Sequence, residues 1–218
     1  SSDVTRGYNS NYNYKIQIVT SAGKPLSNTK VPISINGKMK NYTTDGSGYV
    51  TLKFTKLTKQ QTIIAVNPSN ADNKKTKITV KSRFSGAKNV AMYYFDGTKF
   101  KARIVGDDGK FVGKNQAVSI KLNKKTYKVK TAANGYITLK VPNTVKPGKY
   151  TLKATYKGQT ISKTVKVKQN LKTSKYTVKK TAKKLKVKAT LKNGKTAVKG
   201  KKITLKVNGK TLKATTNK

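Results

Sequence analysis

Three copies of one sequence pattern follow each other along this chain. A Gly-Lys pair in a polar stretch recurs at intervals of 86 and 85 residues, at Gly23, Gly109 and Gly194. Each pair is followed by an alternating apolar segment and a turn. A fixed period of this length is typical of tandem arrays in which every copy folds as a unit. We therefore divide the chain into copy one (residues 1–82), copy two (residues 83–168) and copy three (residues 169–218).

Within each copy, apolar residues alternate with lysine or threonine. Residues 149–157 and 184–191 both show this pattern, which directs one set of side chains to each face of a β-strand. Asn-Gly pairs at positions 36, 193 and 208 suit two-residue hairpin turns. About seven short strands per copy predict an all-β fold of tandem Greek-key β-sandwiches. We expect short linkers near residues 82–87 and 169–174.

Copy three stops before the segment that corresponds to residues 134–168 of copy two. That segment supplies the last three predicted strands, so we expect copy three to be truncated and its core to be open. Continuation of the polypeptide past Lys218 is the explanation we favour. The alternative is a strand donated by a neighbouring subunit.

The composition limits the chemistry of the chain. Lys+Arg is 50 and Asp+Glu is 6, a net charge of +44, and histidine, cysteine and glutamate are absent. Disulfides, zinc-finger spacings and a thiol nucleophile are therefore excluded, and histidine, the side chain that most often transfers protons near neutral pH, is missing. We expect no catalytic residue and no cofactor, and a protein that is not an enzyme. No apolar run approaches the ~18 residues of a transmembrane helix, so we expect no membrane insertion in this segment.

One family resembles this pattern. The Gly-Lys pair, the Asn-Gly-Lys turn and the Pro-Gly-Lys-Tyr-Thr-Leu-Lys-Ala-Thr-Tyr run, most complete within residues 109–168, resemble the immunoglobulin-like repeats of large adhesin-like surface proteins. These repeats are related to bacterial Ig-like and invasin-type domains and are found particularly in methanogenic archaea. The resemblance covers copies two and three well. It is looser in copy one, where residues 58–66 differ.

The resemblance implies immunoglobulin-like domains at an extracellular, cell-surface location. Such repeats more often act as spacers than as the recognition module at the tip. We therefore expect a non-catalytic segment of a cell-adhesion protein or stalk that projects a distal module. A first alternative is a subunit of an extracellular filament or pilus, a homopolymer assembled by β-strand donation. A further alternative is a non-specific polyanion-binding protein.

Lysines on outward strand faces predict a surface for anionic cell-wall polymer or glycan, made by Lys149, Lys153, Lys157, Lys184, Lys186 and Lys188. Equally, outward lysines would keep sheet edges from pairing and the array soluble, and both interpretations stay open. Nucleic acid is expected to bind only non-specifically, because the chain has only three arginines. The tyrosines Tyr136, Tyr150 and Tyr156 occupy apolar strand positions and are predicted to lie in the core.

The few oxygen-rich positions give weaker predictions. Asp107 and Asp108, and separately Asp45, are candidate calcium ligands, although solvated turns explain them more simply. An intramolecular Lys–Asn isopeptide bond in copy two, formed beside Asp96, is a second candidate. Such a bond in every copy is excluded, because copy three has no acidic residue. Asn41 begins the Asn-Tyr-Thr sequon and is a candidate for glycosylation.

Overall fold

A computed structural model describes residues 1–177, 179, 181, 184, 186–207 and 209–217 of the chain. The described residues form an all-β structure, which confirms the predicted fold class. Among them, no helix is long and apolar enough to cross a membrane.

Copy one is a two-layer sandwich of seven strands. They are β1 (Val4–Gly7), β2 (Ser10–Gln17), β3 (Lys30–Ile35), β4 (Lys38–Thr43), β5 (Tyr49–Leu57), β6 (Gln61–Val66) and β7 (Asn73–Lys81). One sheet has the order β1-β7-β6-β3-β4, and β2 pairs with β5 in the other. The first strand runs parallel to the last, and the other pairs are antiparallel. Asn36 and Gly37 both have positive φ, as the predicted hairpin between β3 and β4 requires.

Copy two repeats this topology with one additional strand. Its strands are β8 (Phe84–Ser85), β9 (Val90–Tyr93), β10 (Lys99–Ile104), β11 (Ala117–Leu122), β12 (Lys125–Lys130), β13 (Tyr136–Lys140), β14 (Gly148–Tyr156) and β15 (Gln159–Lys168). The sheets are β12-β11-β14-β15-β9 and β13-β10-β8, and β9 runs parallel to β15.

The segment expected as a linker between copies one and two contains a strand of copy two. Phe84 is 7% exposed and packs in the core of copy two, which holds β8 against β10. The second expected linker likewise forms β16 (Leu171–Thr173), which pairs with β17 (Ala189–Asn193). In each case the chain enters the next copy as a strand.

Each complete copy has its own apolar core between its two sheets. The core of copy one includes the fully buried Ile33, Ile63 and Ile78, and that of copy two includes Phe100 and Leu152. Burying a side chain of this size stabilises the fold by about 1.5–3 kcal/mol, so the alternating apolar positions account for both sandwiches. The structure thus confirms tandem immunoglobulin-like Greek-key β-sandwiches.

Copy three is open. Its remaining strands are β18 (Thr196–Ala197), β19 (Lys202–Val207) and β20 (Lys210–Thr215). Within the described part of this copy no apolar side chain is buried, and Leu191, Ile203 and Leu205 line a groove of about 850 Å³. The Asn-Gly pair predicted as a turn at position 208 begins with a residue outside the described ones.

The strand predicted over residues 184–191 is shorter in the structure, since β17 begins only at Ala189. Leu185 lies outside the described residues. In copy two the corresponding strand, β10, pairs along its length with β13. The described residues of copy three include no counterpart of β13, so the first half of the predicted strand has no such partner among them.

Candidate interdomain junction

The parallel pairing of β1 with β7 brings several segments together at one end of copy one. Strand β1 ends at Gly7 and β7 ends at Lys81, whose carbonyl accepts a hydrogen bond from Tyr8 N at 2.8 Å. Ser82 and Arg83 then lead directly into β8. Two segments of copy two meet this end, namely the β10–β11 loop and the turn between β14 and β15.

Arg83 occupies the centre of the junction, and its side chain is fully buried. Nε donates to the Tyr8 carbonyl of copy one at 2.6 Å, and Nη1 donates to the Val105 carbonyl of copy two at 3.3 Å. Nη2 donates to Asp107 Oδ1 at 2.6 Å. The planar guanidinium spreads five donors over three nitrogen atoms in a fixed geometry and so reaches all three partners, whereas a lysine ammonium has three donors on one freely rotating nitrogen. Arg83 thus connects both copies through one rigid group.

The backbone of Arg83 is fixed as well. Its N–H donates to Gln159 Oε1 at 2.6 Å, and its carbonyl accepts from Val105 N at 2.9 Å. Both partners belong to copy two. The side chain and the main chain of one residue therefore hold the connecting segment against copy two.

Asp107 is the anion of the junction. Besides Arg83 it binds the ammonium of Lys157 through Oδ2, and its own carbonyl accepts a bond from Gly7 N at 3.2 Å. Partial burial raises the pKa of Asp107, but the hydrogen bonds and positive charges of Lys157 and Arg83 outweigh burial and hold it below the ordinary value of 3.8. Asp107 is therefore ionised at neutral pH and compensates the buried guanidinium.

Glycines allow the two copies to approach this closely. A Cβ on Gly7 would overlap both the Gly106 carbonyl and the Arg83 guanidinium. A Cβ on Gly109 would lie 2.6 Å from Thr5 Cγ2, and Gly109 also has φ +74°. At both positions the missing side chain leaves space that the neighbouring copy occupies.

The junction between copies two and three follows the same plan with different side chains. Asn170 takes the position of Arg83, and its Nδ2 donates to the Tyr94 carbonyl at 2.7 Å and to Asn193 Oδ1 at 3.0 Å. The backbone bond is also repeated, from Lys192 N to the Asn170 carbonyl at 2.9 Å. The second junction therefore has a neutral amide pair where the first has an ion pair.

The candidate calcium ligands do not gather into one site. No group of three or more acidic side chains lies together among the described residues. Both carboxylate oxygens of Asp107 bind cationic side chains. Asp108 and Asp45 accept backbone N–H groups in their own turns, from Lys110 and from Ser47 and Tyr49 respectively. These contacts are those of turn-forming aspartates.

Two other predicted sites lie elsewhere on the surface. Asp96 is exposed in the turn after β9, where its carboxylate accepts the N–H groups of Tyr93 and Thr98. Isopeptide formation calls for a buried carboxylate, and Asp96 is not in that position. Asn41 is exposed on β4, an edge strand of copy one.

The predicted cationic residues separate into three settings. Lys149 and Lys153 lie exposed on β14, on the outer face of its sheet. Lys157 lies in the turn after β14 and binds Asp107. Contrary to the strand prediction, Lys184, Lys186 and Lys188 precede β17 and share no strand face. The structure does not combine the six lysines into a single surface.

The tyrosine prediction was wrong for one residue of three. Tyr156 is buried, and Tyr150 packs against the core of copy two. Tyr136 is 42% exposed and lies outward on β13, where the Arg103 guanidinium is 5.4 Å from its ring. The inward positions of β13 belong to Ile137 and Leu139, one step out of phase with Tyr136.

The junction is not evident from the sequence. Its one available signal was compositional, because Arg83 is one of three arginines in a chain whose Lys+Arg total is 50, and it stands at the boundary between two copies. The sequence predicts Asp107 only as a candidate calcium ligand. Its two cationic partners are 24 and 50 residues distant in sequence.

No protein-family model and no curated protein matches the chain. Among solved structures, the I9-I11 tandem from titin is 13% identical with a TM-score of 0.47, covering 79% of this chain and 65% of the tandem. A Ca²⁺-stabilised adhesin with which an Antarctic bacterium binds ice is 13% identical with a TM-score of 0.31, covering 97% of this chain and 60% of the adhesin. Fibronectin(III)-like modules of Clostridium thermocellum CbhA are 17% identical with a TM-score of 0.27, covering 77% of this chain and 90% of the modules.

Proposed function

We propose that the chain is a non-catalytic spacer segment of an extracellular surface protein, an adhesin or a stalk, which holds a distal module away from the cell. The fully buried Arg83 carries this proposal. A spacer reaches outward only when its domains keep a fixed relative direction, since independent domains on flexible linkers fold back on one another. A guanidinium bonded to both neighbouring copies provides that fixed direction.

The chemistry of the chain supports the same proposal. Histidine, cysteine and glutamate, which supply most general acids, bases and nucleophiles, are absent from the sequence. The repeat resembles those of adhesin-like surface proteins. The outward lysines would keep the array close to the anionic wall polymers or glycans of a cell envelope.

The distance between the first two copies tests the spacer proposal. Because the chain has no native cysteine, Lys53→Cys on β5 and Lys101→Cys on β10 give one exposed label in each copy. Pulsed electron paramagnetic resonance is expected to give a single narrow distance distribution. A distribution as broad as that of two domains on a flexible tether would contradict a stiff spacer.

Surface placement is tested separately. An antibody against copies one and two is expected to label intact cells that produce the native protein. Labelling only after lysis would contradict the extracellular assignment and would leave the stiffness measurement unaffected.

The open groove of copy three favours a second candidate function, a filament subunit that accepts a β-strand from its neighbour. Its lining residues Leu191, Ile203 and Leu205 are the apolar positions that a further strand would cover. Sedimentation velocity measured over a wide concentration range is expected to show assembly if this holds. A chain that stays monomeric throughout would exclude it.

A further inference from the structure

The outer face of the five-stranded sheet of copy two, which we call the lysine face, is strongly cationic. It includes the outward lysines Lys121, Lys128, Lys130, Lys149, Lys153, Lys166 and Lys168. None of its five strands contains an aspartate, and the chain has no glutamate. The ion pairs found among the described residues both involve Asp107, which lies in the junction.

Two pairs of these lysines are directly opposite each other on neighbouring strands. Lys121 of β11 is opposite Lys153 of β14, and Lys149 of β14 is opposite Lys166 of β15. Like charges in this position destabilise a sheet. The lysine face therefore contains electrostatic repulsion that a bound anion would relieve.

Protection of a sheet edge does not explain these lysines. The sheet has the order β12-β11-β14-β15-β9, so β11 and β14 are interior strands with partners on both sides. Lysines that prevent edge-to-edge pairing belong on edge strands. The repulsive pairs instead lie toward the middle of the face.

The fold does not require lysine at these positions. One row of opposed residues crosses four strands in each copy. In copy one it runs through β4, β3, β6 and β7 and consists of Met39, Ser34, Ile64 and Lys75. In copy two it runs through β12, β11, β14 and β15 and consists of Thr126, Lys121, Lys153 and Ser162. The two interior positions are thus serine and isoleucine in copy one and lysine in copy two. Copy one provides a matched comparison on the same topology.

The other side chains on the lysine face indicate the kind of anion. Hydroxyl groups stand opposite the charged residues, with Ser162 opposite Lys153 and Thr126 opposite Lys121. Ammonium groups act as point charges for phosphate, and hydroxyls donate further hydrogen bonds. The lysine face has no arginine, and the tyrosines of β14 face the core. The ring of Tyr93 lies on the edge strand β9, 5.3 Å from the Lys168 ammonium, so the centre of the face offers no ring for base stacking.

We propose that the lysine face binds a linear polyol-phosphate polymer, a chain of phosphodiester-linked polyols without bases. Its phosphates would lie between the opposed lysines and receive hydrogen bonds from the neighbouring hydroxyls. This inference rests on the proposed surface placement, which would expose the lysine face to polymers of the cell envelope. It limits the predicted polyanion-binding surface to one sheet of copy two.

A titration of the whole chain with synthetic poly(glycerol phosphate), followed by NMR, tests the proposal. Shifts are expected to concentrate at Lys121, Lys149, Lys153 and Lys166, and to be smaller at Lys75 and Lys77 on the outer face of copy one. Thermal unfolding of copy two is expected to move to higher temperature as polymer is added, because the ligand binds the folded face.

The variant Lys121→Ser/Lys153→Ile gives copy two the interior residues of copy one. We expect its affinity for the polymer to fall about tenfold or more at low salt, with a shallower dependence on salt concentration, since two phosphate contacts are lost. The control Lys99→Ser/Lys101→Ser removes the same charge from β10 in the opposite sheet and is expected to bind nearly as well as the parent chain.

Three results would overturn the proposal. One is an equal loss of affinity in both double variants, and another is a spread of NMR shifts over all three copies, since each indicates attraction by net charge alone. The third is tighter binding of polygalacturonate or oligo(dT) at this face, which would assign it to carboxylate polymers or nucleic acid. Any of these leaves the distance between copies one and two unchanged, so the spacer proposal stands or fails separately.

Discussion

The two junctions of the chain share a backbone contact and differ in the side chains around it. At the first, Arg83 bonds to the Tyr8 and Val105 carbonyls and to a carboxylate. At the second, the shorter Asn170 bonds to the Tyr94 carbonyl and to another amide. The Arg83 guanidinium has more donors than the Asn170 amide and is charged. The first junction therefore has more side-chain hydrogen bonds, and its bond to the carboxylate is stronger than any bond between neutral groups at the second.

The residues next to Arg83 and Asn170 also allow closer packing at the first junction than at the second. Gly7 lets the β10–β11 loop lie directly on the end of copy one, whereas Tyr93 occupies the corresponding position at the second junction. The tyrosine hydroxyl lies 3.0 Å from where a Cβ on Gly194 would be. One topology therefore produces a closely packed joint or a looser one, depending on a few side chains.

Replacing the central residue at each junction gives the largest expected contrast. Arg83→Ala removes three side-chain hydrogen bonds and leaves the junction carbonyls unpaired, so we expect a loss of about 3 kcal/mol in unfolding free energy. Asn170→Ala is expected to cost about 1 kcal/mol. Chemical denaturation measures both, and the distance distribution between copies one and two should broaden only for Arg83→Ala.

Arg103→Ala is the matched control, because it also removes an arginine from copy two. Arg103 lies over the Phe111 ring at 3.7 Å and donates to the Asn134 carbonyl at 2.7 Å, away from the junction. If it broadens the distance distribution as much as Arg83→Ala does, loss of charge rather than loss of the junction bonds is responsible.

A methyl group at Gly7 is the next strongest perturbation. Gly7→Ala places Cβ against the Gly106 carbonyl and the Arg83 guanidinium, so the copies must move apart, at a cost of about 1–3 kcal/mol. We expect a shifted and broader distance distribution. Gly46→Ala, where a Cβ has nothing within 4 Å, should leave it unchanged. An unshifted distribution in Gly7→Ala would mean that the contact is not maintained in solution.

Acid is expected to loosen the first junction alone. Because the pKa of Asp107 is lowered in the folded chain, its stabilising contribution is complete above the ordinary value of 3.8 and is lost as the pH falls below it through the lowered value. Asp107→Asn should reproduce this loosening at neutral pH, with a cost of about 1 kcal/mol for this half-exposed group.

The second junction is an internal control for the acid experiment, since Asn170 and Asn193 do not titrate. Labels in copies two and three should report no change between neutral pH and pH about 3. Simultaneous broadening at both junctions would indicate general acid unfolding instead of protonation of Asp107.

The smallest expected effect comes from transplanting the ion pair. Asn170→Arg with Asn193→Asp places the residue types of the first junction at the second. We expect a modest narrowing of the distance distribution between copies two and three. Tyr93 at the second junction still keeps apart the two segments whose counterparts touch at the first junction, where Gly7 has no side chain. Narrowing equal to that of the first junction would show that the ion pair suffices without the glycine.

The sandwiches were predictable because their cause is local. Alternation along residues 149–157 places Leu152 and Ala154 on one face, and burial of that face follows in any sheet. Tyr136 shows what alternation alone does not predict. Its ring suggests a core position, but it lies one residue out of phase with the buried Ile137 and so points outward. The lysines before β17 show another limit, because a strand also needs a neighbour with which to pair.

The junction could not be predicted in the same way. Lys157 continues the outward alternation of β14, but the turn that follows the strand carries it to Asp107. Which loops meet between two copies depends on their relative orientation, and periodicity along one strand contains no information about that. The role of Arg83 depends on Tyr8, Val105 and Asp107, which only folding brings around its side chain.

The parallel pairing of the first and last strands in each complete copy has a mechanical consequence. Tension on the two ends of copy one pulls β1 and β7 lengthwise past each other, and β9 and β15 in copy two are arranged in the same way. The hydrogen bonds of such a pair carry the load together instead of opening one after another. Because only Ser82 separates β7 from Arg83, a force that pulls on the two ends of this chain acts on the β1–β7 pair and on the junction at neighbouring positions.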